Sequence, residues 1–223
     1  MIKNSKIALI FRFISLIIAL LGFFSMTGLF EGRFHLSSLV YYTMQSNILI
    51  IILFLMLTLR TLWEVRNPKY GNAAFYARFE MVCVLNIFIT FIVYWVMLAP
   101  EHFTMGGSDG LWNFGNLAVH GITPLLCLID YVLFTQPRHL KYRDVYYVCI
   151  FPFLYIIVTS IAGLLGYVYY ISAYDGLPVR FPYFFFDFDR IGLYSLIYII
   201  ALTAFFLLLG HIMYFIDSRL RKA

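Results

Sequence analysis

Apolar residues along the chain come in six long blocks, separated by short and more polar segments. The blocks lack the polar stripe of a helix that is half-buried in a soluble protein. A helix needs roughly 20 apolar residues to cross the hydrocarbon core of a membrane. The pattern therefore predicts six transmembrane helices, near residues 7–29, 39–59, 79–98, 117–134, 145–171 and 191–215.

The composition agrees with a membrane protein. Of the 223 residues, 63% are hydrophobic and 12% are charged, whereas about a quarter of the residues in a soluble domain are charged. No segment between the blocks is long enough to form a soluble domain of its own. We therefore predict an all-α membrane protein with a single six-helix transmembrane domain over residues 1–223.

Lysine and arginine residues are distributed unequally between the two sides of the predicted membrane domain. Thirteen of them fall on the side that carries both termini, and three, Arg33, Arg180 and Arg190, fall on the other side. Basic loops stay in the cytoplasm, so both termini are predicted to be cytoplasmic. The net charge of +5 is scattered over short loops beside anionic lipid, which argues against a nucleic-acid partner.

Residue types that commonly bind cofactors are dispersed. Cys83, Cys127 and Cys149 fall in three different predicted spans without a CxxC spacing, which favours neither a disulfide framework nor a metal cluster. His120 and His211 are predicted near opposite ends of their spans and so cannot share one metal ion. We predict no metal site and no cofactor.

The second block begins with YYTMQSNILI, which is unusually polar for a helix that enters a membrane. Thr43, Ser46 and Asn47 are spaced by three and four residues and therefore share one helical face. His120 lies near the start of the fourth block, which runs in the same direction, so Thr43 and His120 are predicted at similar depth in the outer leaflet. Two interpretations remain: hydrogen bonding between helices or a reaction site.

A reaction site at this depth would combine a hydroxyl nucleophile with a base. Threonine needs a base within hydrogen-bond reach, and histidine can take and return a proton near neutral pH. Pro124 cannot donate to the carbonyl of His120, which predicts a local opening of that helix. Asn47 is the nearest side-chain candidate for an oxyanion donor, with Ser46 beside it.

Charged residues outside this face have simpler interpretations. Arg12, Glu80, Asp130 and Asp217 fall near the inner ends of their blocks, where charge pairing explains them. Asp130 is about 15 Å along the axis from His120, too far to orient its ring. Asp187 precedes the sixth block, where it either caps a helix or sets the tautomer of His120.

Three motifs in this order resemble one protein family. They are YxTxQSN at the start of the second block, HxxxPLxxxxD across the fourth and FPYFFFDFDRIG before the sixth. With the six-span layout, the chain resembles a bacterial branch of the androgen-induced protein and androgen-dependent TFPI-regulating protein family. The resemblance implies a multipass threonine hydrolase in which Thr43 is the nucleophile and His120 its histidine. Animal members hydrolyse fatty acid esters of hydroxy fatty acids, a substrate that a bacterial cell need not share.

We therefore expect an integral-membrane ester hydrolase of the bacterial cytoplasmic membrane, acting on a membrane lipid or fatty ester. The alternative is a membrane protein that binds or transports a lipid or small solute without hydrolysing it. The sequence contains no inverted repeat and no charge at the middle of a span, which disfavours a transporter. It leaves the oligomeric state open.

Overall fold

The computed structural model describes residues 4–67, 77–100, 108–134, 140–172 and 174–220. Six of its helices are long and apolar enough to cross a membrane, which confirms the predicted all-α architecture with six spans. We number them in chain order: α1 Ser5–Met26, α2 Tyr42–Arg66, α3 Ala77–Leu98, α4 Phe114–Leu133, α5 Tyr142–Leu164 and α6 Tyr194–Leu220. The cytoplasmic location of the termini stays a prediction.

Several helix ends differ from the prediction because backbone turns interrupt the apolar blocks. Helix α2 begins at Tyr42 rather than residue 39, since a 3₁₀ turn occupies Leu36–Val40, and it continues to Arg66 rather than residue 59. Helix α1 ends at Met26 rather than residue 29. A 3₁₀ turn at Leu29–Glu31 follows, beyond a glycine with a φ of 74°.

The segment between α5 and α6 contains a small hairpin that the apolar pattern did not predict. Helix α5 ends at Leu164 rather than residue 171, and Gly166 follows it with a φ of 90°, a conformation that favours glycine. Strand β1, Tyr170–Ile171, then pairs antiparallel with β2, Pro178–Val179. A 3₁₀ turn and a short helix complete the segment, at Phe184–Phe186 and Phe188–Ile191.

Two of the long helices contain a π-helical turn. Helix α3 has one at Tyr94–Leu98, and α4 contains one at Ala118–Ile122. In α4 the main-chain N–H of Thr123 bonds to the carbonyl of Ala118, five residues earlier. Pro124 has no N–H to continue the regular α-helical pattern, so the local opening predicted at His120 takes the form of a π turn.

The chain forms two compact units. Met1–Leu140 and Phe215–Ala223 make up the first, and Lys141–Tyr214 makes up the second. Helices α1 to α4 pack against one another in the first unit. The second contains α5, the hairpin and most of α6. A single domain over residues 1–223 stays a prediction, and each unit is described by itself.

Within the first unit, glycines allow α1 to approach α4 closely. A Cβ atom added at Gly22 would lie 2.5 Å from the Cβ of Ala118, and one at Gly115 would lie 2.7 Å from the Oγ of Ser25. Real Cβ atoms do not approach so closely, so a larger residue at Gly22 would force α1 away from the rigid Ala118, and one at Gly115 would require the Ser25 side chain to move. The small residues hold α1 directly against the π turn of α4.

A buried ion pair joins three helices of the first unit. The Arg12 guanidinium on α1 donates from Nε to Asp130 Oδ1 on α4 (2.8 Å) and from a terminal nitrogen to Asp130 Oδ2 (3.2 Å). Its other terminal nitrogen donates to Thr61 Oγ1 on α2 (2.6 Å). Arg12 is 7% exposed and Asp130 2%. The predicted charge pairing is therefore confirmed for Arg12 and Asp130. We call the group formed by Arg12, Asp130 and Thr61 the Arg12 crosslink.

We predict that Arg12→Met lowers the free energy of unfolding by about 3–5 kcal/mol, because it leaves the Asp130 carboxylate buried without its counter-ion. The double variant Arg12→Met/Asp130→Leu should recover most of that loss, since neither charge then remains. Thermal unfolding of detergent-solubilised protein measures both effects.

The pair between Arg60 and Glu64 on α2 is the matched control. It is an i,i+4 contact of 3.0 Å in which Arg60 is partly exposed, so Arg60→Ala should cost only about 0.5 kcal/mol. Equal losses for Arg12→Met and Arg60→Ala would contradict a stabilising role for the Arg12 crosslink.

Candidate functional site

Thr43 lies in the first turn of α2, because the helix begins at Tyr42. Main-chain N–H groups in a first turn have no acceptor within their own helix. Among the residues that the structure describes, neither the hydroxyl nor the main-chain N–H of Thr43 has a hydrogen-bond partner. The residue is 8% exposed. Two polar groups of one buried residue are thus available to a ligand.

The other two polar residues on this face hold helices together. Ser46 Oγ lies 2.9 Å from the carbonyl of Thr43 and 3.0 Å from Thr90 Oγ1 on α3. Asn47 Nδ2 donates to the carbonyl of Thr43 (2.9 Å) and to the carbonyl of Val119 on α4 (3.1 Å). For Ser46 and Asn47 the interpretation as hydrogen bonding between helices is therefore correct.

This geometry does not supply the oxyanion donor that we expected of Asn47. Its amide has two N–H donors, and both are directed to main-chain carbonyls. The donor that the structure offers is the main-chain N–H of Thr43 itself. Sequence reasoning missed it because the helix was predicted to begin at residue 39, which would have placed Thr43 beyond the first turn.

His120 lies in the π turn of α4 and is 7% exposed. Its Nδ1 lies 3.2 Å from the carbonyl oxygen of Asn116. A carbonyl only accepts, so this bond places the proton on Nδ1 and leaves the lone pair of the neutral ring on Nε2. The main chain of α4 thus sets the tautomer that a general base requires.

Two aromatic residues of the π turn of α3 support His120. The ring of Tyr94 stacks on the imidazole, with centroids 3.6 Å apart and planes 16° apart, and its hydroxyl donates to Asn116 Oδ1 (2.9 Å). Trp95 Nε1 donates to the main-chain carbonyl of His120 (3.0 Å). Pro124, which has no N–H, cannot donate to that carbonyl. The sequence analysis predicted that this carbonyl lacks its helical donor. It missed Tyr94 and Trp95, although two adjacent aromatic residues with polar groups could have indicated a hydrogen-bonding partner.

Asn47 relates the position of Thr43 to that of His120. It contacts Val119 directly, and Thr43 lies one turn, about 6 Å, toward the N-terminal end of α2. The imidazole points toward the N-terminal end of α4, because its Nδ1 contacts the carbonyl of Asn116. Along the helix axis Asn116 lies about 4.5 Å from Val119, in the N-terminal direction. Helices α2 and α4 run in the same direction. Asn47 of α2 contacts Val119 of α4, and further along each helix Thr61 and Asp130 both contact the Arg12 side chain. Thr43 and the imidazole therefore occupy the same layer.

Asp187, in the second unit, caps a helix. Its carboxylate accepts from the main-chain N–H groups of Asp189 (3.1 Å) and Arg190 (3.2 Å) and lies 3.3 Å from Arg190 Nε. Burial raises the pKa of Asp187, and these donors oppose that rise. The capping interpretation is confirmed, whereas a role for Asp187 in orienting His120 stays a prediction. The contact with Asn116 already accounts for the tautomer.

The described residues contain no group of three or more His, Cys, Asp or Glu side chains that could hold a metal ion. Cys83, Cys127 and Cys149 are buried and form no disulfide with one another. The chemistry that the site offers is thus that of a hydroxyl, an imidazole and main-chain N–H groups.

The fold and the site define an all-α protein with six membrane-length helices, in which a threonine of α2 and a histidine of α4 are both buried. No protein-family model, curated protein or solved structure matches the chain. The resemblance to the androgen-induced protein family therefore stays an expectation drawn from the three motifs.

We predict that His120 is protonated on Nδ1 in its neutral form. Nitrogen NMR of ¹⁵N-histidine-labelled protein at a pH of about 8.5, above the ordinary histidine pKa of about 6.5, should give a protonated Nδ1 and an unprotonated Nε2. His211 is an internal reference, because its Nδ1 lies 2.6 Å from the carbonyl of Leu207. A protonated Nε2 at His120 would contradict the assignment.

Proposed function

We propose that this protein is an integral-membrane threonine hydrolase that cleaves a lipid-like fatty ester, with Thr43 as nucleophile and His120 as general base. One observation carries the proposal. Ser46 and Asn47 hydrogen-bond to neighbouring helices, whereas the side chain of Thr43, on the same face, has no hydrogen-bond partner among the residues that the structure describes. It shares a layer with an imidazole whose Nε2 holds a lone pair. The motif resemblance assigns the same two residues.

In the first half of the reaction, Nε2 of His120 takes the proton of the Thr43 hydroxyl while Oγ1 attacks the ester carbonyl carbon. The carbonyl oxygen becomes an oxyanion, which accepts from the main-chain N–H of Thr43 at the positive end of α2. The carbon–oxygen bond to the alcohol then breaks. His120 returns its proton to the departing alkoxide, and an acyl ester of Thr43 remains.

In the second half, water replaces the alcohol. His120 takes a proton from the water as its oxygen attacks the acyl carbonyl, and the same N–H holds the oxyanion. The bond to Thr43 Oγ1 breaks, the proton passes from His120 to Thr43, and a fatty acid leaves. The Nδ1 bond to Asn116 keeps the ring in one orientation through both halves.

The position of the site favours a lipid-like substrate. Thr43 and His120 lie in helices of membrane length, and the distribution of basic residues predicts both termini in the bacterial cytoplasm and this layer in the outer leaflet. An ester linked to an acyl chain reaches such a layer from the bilayer. A soluble ester would first have to leave water.

The test is covalent labelling with a fluorophosphonate probe, run in parallel with fatty-ester hydrolysis in membranes. Wild-type protein should label and turn over. Thr43→Ala should lose both, and His120→Gln should lower the hydrolysis rate at least about 100-fold, because general-base catalysis contributes that much or more.

Ser46→Ala is the matched control, since Ser46 lies one turn further on the same face and bonds only within the helix packing. It should label at a rate within a few-fold of wild type. Labelling of Thr43→Ala as strong as that of wild type would exclude Thr43 as nucleophile. Saturable lipid binding without hydrolysis or labelling would favour the alternative, a lipid-binding or transport protein.

A further inference from the structure

Exposed apolar side chains continue beyond the end of α1 into the segment that joins it to α2. We call residues 27–41, between the two helices, the α1–α2 loop. Four of its large apolar side chains are between 45% and 69% exposed, namely Leu29, Phe30, Phe34 and Leu36. Exposed apolar side chains grouped in this way mark a surface that contacts something other than water.

Helix α1 has a buried face and an exposed face on opposite sides. Residues at intervals of three and four form the buried face: Ala8, Arg12, Ser15, Ala19 and Gly22. A second set at the same intervals, rotated by about half a turn, forms the exposed face: Ile10, Ile14, Ile17 and Leu21. Because α1 is long and apolar enough to cross a membrane, we interpret this exposed stripe as the side that acyl chains cover.

The exposed stripe of α1 continues onto the α1–α2 loop. Phe24 follows Leu21 by three residues and therefore extends the stripe. Its ring contacts that of Phe30, with centroids 6.5 Å apart and planes at 79°, an edge-to-face arrangement. Phe30 follows the helix end at Met26 by four residues, yet it returns to the level of the last turn of α1. The part of the loop that carries Phe30 is thus continuous with the stripe.

A closed turn holds the loop in this position. The main-chain N–H of His35 donates to the carbonyl of Thr27 (2.8 Å), and those of Glu31 and Arg33 both donate to the carbonyl of Gly28 (3.0 and 3.1 Å). Gly28 has a φ of 74°, and a Cβ atom there would lie 2.5 Å from the main-chain oxygen of Arg33. A side chain at this position would therefore strain the turn and push that carbonyl away. Main-chain groups that pair with one another can leave bulk water at low cost.

We propose that the α1–α2 loop is an interfacial membrane anchor, in which the closed turn at Gly28 holds Phe30 and its apolar neighbours in the headgroup region of the bilayer. Lipid is the occupant because the loop continues the lipid-facing stripe of α1, and aromatic and aliphatic side chains are stabilised in this region. The exposed Arg33 side chain reaches the phosphate and water layer from the same loop. The anchor places the bilayer surface beside the first turn of α2, where Thr43 lies. It does not depend on the proposed hydrolase activity.

Site-directed spin labelling of the full-length protein in lipid nanodiscs tests the proposal. A label collides often with oxygen in the bilayer and often with a water-soluble nickel complex in water, so the ratio of the two collision rates reports its location. Labels at Phe30→Cys and Leu36→Cys are compared with Ile14→Cys, on the exposed stripe, and with Lys6→Cys, at the exposed start of α1. The oxygen-to-nickel ratio at positions 30 and 36 should be at least several-fold above that of Lys6→Cys. The unmodified chain, whose cysteines are buried, gives the background.

Two results of the labelling would overturn the proposal. Equal ratios for Phe30→Cys, Leu36→Cys and Lys6→Cys would show that the loop lies in water. Low collision rates with both oxygen and nickel at positions 30 and 36 would show that a protein surface, such as a second copy of the chain, covers the loop instead of lipid.

Gly28→Ala and Gly32→Ala form a matched pair that tests the closed turn. Both glycines have a positive φ, 74° and 70°, but a Cβ atom at Gly32 would meet nothing within 4 Å. With the label at position 30, Gly28→Ala should lower the oxygen-to-nickel ratio toward that of Lys6→Cys, because the turn opens and Phe24 loses its contact. Gly32→Ala should change the ratio much less. An unchanged ratio in Gly28→Ala would overturn the role of the closed turn.

Discussion

The ion pair between Arg12 and Asp130 is the contact on which the arrangement of α1, α2 and α4 depends. A charge buried among apolar helices is tolerated only when it is paired and hydrogen-bonded. The guanidinium meets this condition with two contacts to Asp130 and one to Thr61. Because these partners lie on three helices, the requirement also sets their register. One turn of relative sliding, about 5.4 Å, would separate the charges.

The same rule of satisfying polar groups explains the geometry around His120. Pro124 deprives one carbonyl of its helical donor, a π turn forms there, and Trp95 supplies an N–H from α3. The widened turn and the contact with Asn116 orient the imidazole. A local defect in one helix is thus repaired by a neighbouring helix, and the repair brings the aromatic pair Tyr94 and Trp95 against the histidine.

The sequence was sufficient to predict the six helices, because the length and apolarity of a block depend on composition alone. It also predicted charge pairing at the inner ends of the helices, although not which residues pair, and the opening at His120. Helix ends were predicted less well: the termination of α5 at Leu164 reflects a backbone turn inside an apolar block. The use of Asn47 was not predictable either, since a helical face identifies a neighbouring helix but not which amide atoms meet which carbonyls.

The distinction between a structural and a reactive polar residue therefore has to be made atom by atom. Ser46 and Asn47 were grouped with Thr43 because all three share a face, yet their side chains are used in contacts with α3 and α4. Thr43 differs because it stands at the start of a helix, where a main-chain N–H lacks a helical acceptor. Neither its hydroxyl nor its main-chain N–H has a hydrogen-bond partner among the residues that the structure describes, and the helical rise places both near the level of the His120 imidazole. Helix packing does not require such an arrangement. These two polar groups of Thr43, which helix packing does not use for hydrogen bonds, are the physical argument for proposing a reactive role for this residue.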